Sequence, residues 1–199
     1  NLEHGTEAWH DYVLGVLHEL SLLTKGLKGF DCTMETNVPI GAGVSSSAAL
    51  ECGIAFGLNE LFDLGLDRWQ IAELGQRAEH NFVGTLCGIM DQFASVMGRK
   101  NHAMLLDCQS LDFEYIPSHI DPYVILMLNT NVAHNLSTSG YNTRREESAS
   151  GLKVITDRFG VNNSFRDITM EMVNACEGEL GEVRFKRCSY ILEENQRVL

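Results

Sequence analysis

The sequence predicts an α+β fold. Three observations point there. Amphipathic helical segments make up most of the chain. The strand-like runs are few and differ in kind, one alternating with a wet face and one continuously apolar. Strands and helices do not alternate regularly, which argues against a doubly wound parallel sheet. At 199 residues the chain can hold one large domain or two small ones.

Taken in order, Thr6 is placed to cap a helix over 7–24, with Trp9, Val13, Val16, Leu20 and Leu23 recurring at helical spacing as its core face; Lys25 and Gly26 end it. At 30–35, Phe30, Cys32 and Met34 alternate with Asp31, Thr33 and Glu35, the pattern of a half-buried antiparallel strand. A helix over 46–62 is apolar nearly all round, so it is expected at the centre of a core. A second helix, 67–81, buries Ile71, Leu74, Ala78 and Phe82 and leaves Glu79 and His80 to one side. Gly84 and Gly88 bracket a loop before a helix that opens at Ile89-Met90-Asp91. Strands are expected at 103–107 and 123–128, the second central because it is continuously apolar. Helices follow at 142–159, 169–176 and 181–198.

The formal net charge of −12 argues against broad nucleic-acid binding, which needs a basic face. It leaves a polyphosphate ligand open, because local N–H groups and a metal outweigh a distant field. No membrane span and no secretory leader are predicted, and a start at Asn1 fits a missing upstream part. The six cysteines form no Cys-x-x-Cys pair and read as buried free thiols of a reducing, cytoplasmic compartment. The seven histidines show no zinc-ligand spacing.

The run Pro39-Ile40-Gly41-Ala42-Gly43-Val44-Ser45-Ser46-Ser47-Ala48-Ala49-Leu50-Glu51 carries most of the chemistry. A glycine-broken loop with three serines leads directly into an apolar helix. Unpaired N–H groups gather there at the positive end of the helix dipole, a ready seat for phosphate. It is neither a Walker A loop, a dinucleotide fingerprint nor a hydrolase elbow. Two readings fit the residues equally well: a phosphate site, or a serine-capped core helix with glycines for the turn.

Two further blocks follow in order. One is Ala78-Glu79-His80 leading to Cys87-Gly88-Ile89-Met90-Asp91-Gln92-Phe93. The other is Asn129-Thr130-Asn131-Val132 leading to Ser139-Gly140-Tyr141-Asn142-Thr143-Arg144-Arg145. With the serine run, they resemble the galactokinases of the GHMP small-molecule kinase superfamily. The serine run marks the superfamily; the other two are closer to galactokinases. The likeness covers nearly the whole chain.

The resemblance implies a two-domain GHMP kinase fold with mixed sheet and helices. Residues 1–98 would be the rear part of the N-terminal domain and 99–199 the beginning of the C-terminal one. It implies phosphoryl transfer from ATP to the anomeric hydroxyl of galactose. Gly41, Ala42, Gly43, Val44, Ser45, Ser46 and Ser47 would hold the nucleotide phosphates, Ser47 and Glu79 would hold Mg²⁺, Asp91 would face the sugar hydroxyl as the catalytic group, and Gly88 and Tyr141 would shape the sugar pocket with it. Taken without the family, Asp91 reads as a first-turn acid, Glu79 as a solvated helix face and Tyr141 as a loop anchor. Arg144 and Arg145 read as helix-surface residues, and His80 and His134 as structural. The partners implied are small molecules, with no nucleic acid or membrane and a monomeric parent chain. Rivals are another superfamily kinase, such as one acting on N-acetylgalactosamine or mevalonate, a sugar-sensing regulator on the same fold, and a plain structural domain. Intact Ser45-Ser46-Ser47 and Asp91 favour an enzyme parent. The early Gly-Glu-His-x-Asp-Tyr motif of galactokinases and their late glycine-rich motif have no counterpart here. The expectation is therefore a central fragment with an exposed edge at 30–35, an incomplete core and little or no activity alone.

Overall fold

The computed structural model describes residues 9–130 and 140–198. The expected Thr6 cap, and Asn131, Val132, His134 and Ser139 of the sequence reading, lie outside them. The chain divides into two compact units, Asn1–Thr138 and Ser139–Leu199.

The first unit holds helices α1 (His10–Leu23), α2 (Ser46–Phe62), α3 (Arg68–Ala78) and α4 (Met90–Met97), with a π-helical turn, Glu79–Val83, continuing α3. Its core joins Val16 and Leu20 of α1, Cys52, Ala55 and Leu58 of α2, and Ile71, Leu74 and Ala78 of α3. The near approach of α1 to α3 depends on Gly15, where a Cβ would stand 3.0 Å from the Ala78 carbonyl oxygen and 3.1 Å from Phe82 Cβ. Asp67 opens α3 with a capping box, its carboxylate accepting from the Gln70 N–H while the Gln70 side chain accepts from the Asp67 N–H. The expected stripe of Ile71, Leu74, Ala78 and Phe82 is buried throughout.

A two-stranded antiparallel ribbon, β1 (His102–Leu106) and β2 (Phe113–Pro117), pairs Leu106 with Phe113 and His102 with Pro117. It is tied to the helices by aromatic packing: Phe93 of α4 lies between Trp69 and Phe113, with ring centroids at 4.7 and 4.8 Å. The Tyr115 hydroxyl donates to the Met97 carbonyl at 2.6 Å. β2 has no forecast in the sequence, because Glu114 and Pro117 interrupt its apolar pattern.

Several expectations need correction. Trp9 and Leu23 are exposed rather than core, since the buried face of α1 is set by Gly15, Val16 and Leu20. Leu61 is exposed as well, so α2 is not buried all round: one flank faces open space. Residues 30–35 and 123–128 form no strand. A strand needs a neighbour to take its backbone hydrogen bonds, and neither run has one among the described residues. Tyr123 through Leu128 are instead 70–84% exposed. Of the cysteines, Cys52, Cys176 and Cys188 are buried, Cys87 is half-buried, and Cys32 and Cys108 are exposed; all six are free thiols.

The second unit packs α5 (Tyr141–Phe159), α6 (Met170–Ala175) and α7 (Glu177–Val198) around Leu152, Ile155, Val173, Cys176, Leu180 and Cys188. Thr169 caps α6 through the Met172 N–H. Helix α7 breaks direction at Gly181, whose φ of 67° is left-handed. Arg144 and Arg145 lie on the exposed surface of α5, and the nearby Glu147 pairs with Arg187 at 2.8 Å.

Candidate active site

The serine run folds as an open turn. Gly41, Gly43 and Ser45 have φ of 70°, 74° and 59°, left-handed at every second residue. Backbone of this kind turns successive N–H groups toward one concavity. Ser45 has a Cβ, so its conformation costs roughly 1 kcal/mol that glycine would not. Ser45 is also the N-cap of α2, yet its hydroxyl makes no capping hydrogen bond. The reading of a serine-capped helix is thereby corrected: the first N–H groups of α2 are not satisfied by the side chain in front of them. A Cβ on Gly41 or Gly43 would meet nothing within 4 Å, so the turn faces space and not packed protein. Behind it, Ala48, Cys52 and Ala55 anchor α2 in the core and hold its N-terminus still.

That space is a cleft of about 1260 Å³. Gly41, Gly43, Ser45, Ser46 and Ser47 line one side, and Asp91 of α4 lines it too. Two positions 44 residues apart at their closest, Ser47 and Asp91, thus share one cavity. Asp91 stands in the first turn of α4, where the helix dipole favours a charged carboxylate. Along the cleft, Ala49, Gly53 and Gly57 give α2 a flat wall, and a Cβ at either glycine would again find open space. The segment 30–36 and Tyr12 line the cleft as well.

Ala42 and Val44 do not line the cleft, nor do Gly88 and Glu79. Gly88 is exposed in the loop before α4. Tyr141 is the first residue of α5 and belongs to the second unit. Glu79 departs most from the sequence reading. It is 2% exposed rather than solvated, because α3 passes into the π turn at this residue and the change of pitch carries it inward. His80 is tied by its Nε2 to the Cys87 carbonyl oxygen at 2.7 Å, a structural contact.

Glu79 forms a buried polar cluster with two residues that the sequence reading passed over, Glu51 of α2 and Gln92 of α4. Both are 0% exposed. The Gln92 amide nitrogen donates to Glu79 Oε2 at 2.9 Å and to Glu51 Oε2 at 3.2 Å. The second oxygens, Glu51 Oε1 and Glu79 Oε1, have no hydrogen-bond partner in the structure. Burial holds the Glu79 carboxyl above the usual carboxylate range; hydrogen bonds from Cys87 and Gln92 pull it down and the charge of Asp91 pushes it up. Burial, then the charge of Glu79, raises Glu51 well above that range. Desolvation, followed by Glu79 and Glu51, pushes the Tyr12 hydroxyl up to about 12. A glutamate inside the apolar run of α2 was the available signal for this cluster, since an unpaired carboxylate is rarely buried.

Among the described residues, no group of three or more His, Cys, Asp or Glu could hold a metal by itself, and no helix is long and apolar enough to cross a membrane.

Residues 11–99 match the family model described as GHMP kinases N terminal domain. A galactokinase of Thermosipho africanus is 42% identical over 194 residues, covering 98% of this chain and 53% of the relative. A galactokinase of Thermotoga maritima is 39% identical over 191 residues, covering 96% and 52%. The crystal structure of Lactococcus lactis galactokinase complexed with galactose is 31% identical with a TM-score of 0.84, and the match covers 98% of this chain and 51% of that one. The chain spans about half the length of the curated relatives it matches. The serine turn and this likeness along almost every residue agree: residues 11–99 match the N-terminal domain of the GHMP kinases, and the chain is similar to galactokinases along nearly its whole length.

Proposed function

We propose that this chain carries the phosphate loop and the acceptor-side carboxylate of a galactokinase, which transfers the γ-phosphoryl group of ATP to the anomeric hydroxyl of galactose. The observation that carries the reading is the shared cleft, with the serine turn and Asp91 lining the same cavity. The names of the relatives supply the substrate class. In this reading residues 1–98 belong to the N-terminal kinase domain and 99–199 begin the C-terminal one. The enzyme is cytoplasmic and monomeric, and full activity belongs to a protein of the relatives' length.

In the derived mechanism the N–H groups of Gly41, Gly43, Ser45, Ser46 and Ser47 and the hydroxyls of the three serines bind the nucleotide's phosphate oxygens. The positive end of α2 offsets their charge. Asp91 accepts a hydrogen bond from the anomeric hydroxyl and aims its oxygen at the γ-phosphorus. As that P–O bond forms, the bond to the β-phosphate oxygen breaks, ADP leaves, and the hydroxyl proton passes to Asp91. Most of the acceleration comes from alignment, which suits a site built on the N-termini of two helices anchored in one core.

A magnesium ion would be held from the cleft by the Ser47 hydroxyl; Glu79, buried and outside the cleft lining, would join it only through its unpartnered Oε1. So small a protein donor set suits Mg²⁺, which keeps several waters and takes its other ligands from phosphate. When bound, the ion neutralises phosphate charge.

A coupled ADP-release screen of the full-length protein tests the proposal. Turnover is expected with galactose. Turnover with N-acetylgalactosamine or mevalonate, but not with galactose, would replace the substrate assignment. Tight Mg-ATP binding with no turnover on any of them would indicate a sugar sensor.

A further inference from the structure

We infer that Gln92 is a positioning residue whose side-chain amide, by bridging Glu51 and Glu79, holds α2, the π turn and α4 in the one arrangement that sets Asp91 on the same cleft as the serine turn. The inference rests on the function proposed above and adds to it two residues, Gln92 and Glu51, that touch neither phosphate nor sugar in that reading.

Three elements that each carry part of the site meet at this amide. Helix α2 begins at the serine turn, the π turn carries Glu79, and α4 carries Asp91 immediately before Gln92. Gln92 Nε2 faces carboxylates of two different elements, Glu79 at 2.9 Å and Glu51 at 3.2 Å, with Cys87 Sγ a longer third acceptor at 3.6 Å. A side-chain amide is suited to this work, since two acceptors need two donors from one rigid, planar, uncharged group. Leu or Met would pack but leave both acids unanswered. Lys would add a buried charge. The room is also tight: a Cβ on Gly75 of α3 would come within 3.1 Å of Gln92 Cγ, so the glycine leaves just the space the stem of this side chain occupies. Cys52 Sγ donates to the Gln92 carbonyl oxygen at 3.7 Å, a second tie between α2 and the start of α4.

The bridge makes a geometric demand on each acid, and the demands differ. At Glu51 only an acceptor oxygen is used, so an amide there satisfies Gln92 equally. At Gln92 a donor to both acids is used, so no apolar residue substitutes. Both acids and the amide are buried, so solvent cannot replace a lost partner. A change here therefore reaches Asp91 and Glu79 through backbone and rotamer position, with no altered contact to substrate.

The test uses the full-length protein with Gln92→Met, Glu51→Gln and Glu51→Leu, all measured well below their melting temperatures. The readouts are kcat and KM for galactose, and the affinity for ATP by calorimetry with and without Mg²⁺. Gln92→Met and Glu51→Leu are expected to lower kcat ~10- to 100-fold and to shrink the Mg²⁺-dependent gain in ATP affinity at least fivefold, with KM for galactose within about threefold. Glu51→Gln is expected to stay within about threefold of the parent in every readout. A merely structural role would lower the melting temperature and leave kcat and the magnesium gain of the folded protein unchanged; that result for Gln92→Met overturns the inference. If Gln92→Met does not fold, the Glu51 pair decides: equal loss in Glu51→Gln and Glu51→Leu, or no loss in either, overturns it. A parent protein with neither galactose turnover nor Mg-ATP binding would instead remove the functional reading beneath it.

Discussion

Replacing Asp91 by asparagine separates chemistry from folding at this site. The side chain keeps its size and stays in the first turn of α4, half-buried on the cleft. Two stability effects follow and oppose each other. Losing a first-turn carboxylate forfeits about 0.3–1 kcal/mol of helix-dipole interaction. Losing its negative charge also removes a repulsion that Glu79 feels from it, which returns part of that sum. The net change is expected within about 1 kcal/mol, a shift of a few degrees in melting temperature for a domain of this size. Chemistry has no such compensation. Asparagine can still hydrogen-bond a hydroxyl but takes no proton, and a positioned proton acceptor contributes 10²- to 10⁴-fold. In the full-length protein, kcat in a coupled ADP-release assay is expected to fall at least 100-fold, with Mg-ATP affinity by calorimetry within about threefold. A folded Asp91→Asn protein retaining kcat within about fivefold would refute the reasoning, because the carboxylate would then be a helix-start residue and nothing more.

Four other outcomes follow from the same geometry. Ser47→Ala and Glu79→Gln are each expected to weaken ATP binding about tenfold in the presence of Mg²⁺ and under twofold without it, read by calorimetry. Gly43→Ala, at φ 74° with no atom within 4 Å of the new Cβ, is expected to cost roughly 1–2 kcal/mol in denaturant unfolding from backbone strain alone, and to weaken ATP further because the methyl enters the turn. Glu51→Gln is expected to stabilise, increasingly with pH. Burial raises the Glu51 carboxyl in the folded state, so above the unfolded value of 4.5 the folded state binds more protons and the parent loses stability as pH rises toward the folded pKa; the amide loses none, and urea melts between pH 5 and 8 check the divergence. Gly151→Ala in α5 puts a Cβ 2.7 Å from Cys188 Sγ and 3.3 Å from Arg184 Cβ; it is expected to destabilise by about 1–3 kcal/mol, with Cys188→Ala relieving about half in a double-mutant cycle.

The sequence made legible what depends on local periodicity. Helix α2 runs over the expected 46–62, and the stripe of α3 is buried as its spacing requires. The shared cleft of the serine turn and Asp91 was legible through the family resemblance, since nothing in spacing alone relates positions 47 and 91. What escaped depends on partners. Residues 30–35 and 123–128 have strand composition, but a strand is a relation between two segments, and composition cannot supply the second. The burial of Glu79 depends on a π turn, a shift of pitch with no marker in the apolar pattern. The short strand Phe113–Pro117 pairs with β1 through its backbone while Phe113 and Tyr115 pack inward, an arrangement hidden by Glu114 between them and Pro117 after them.

These misses have a common physical origin, and it bears on how the site works. Helices α2, α3 and α4 bury apolar faces that any single-sequence pattern reveals, and that burial supplies most of the stability of the first unit. The groups to which the proposed function gives a part in the site do the reverse. Ser45 adopts a left-handed φ and withholds its hydroxyl from α2. Glu51 and Glu79 keep carboxylates where water cannot reach, each with an oxygen unanswered. Each of these choices is unfavourable by itself and persists only because the surrounding packing enforces it. Sequence patterns report the enforcing core, whereas the enforced groups read as exceptions to it. An acid in the middle of an apolar helix is therefore the feature of α2 most worth following into the fold, more so than the regularity of the helix around it.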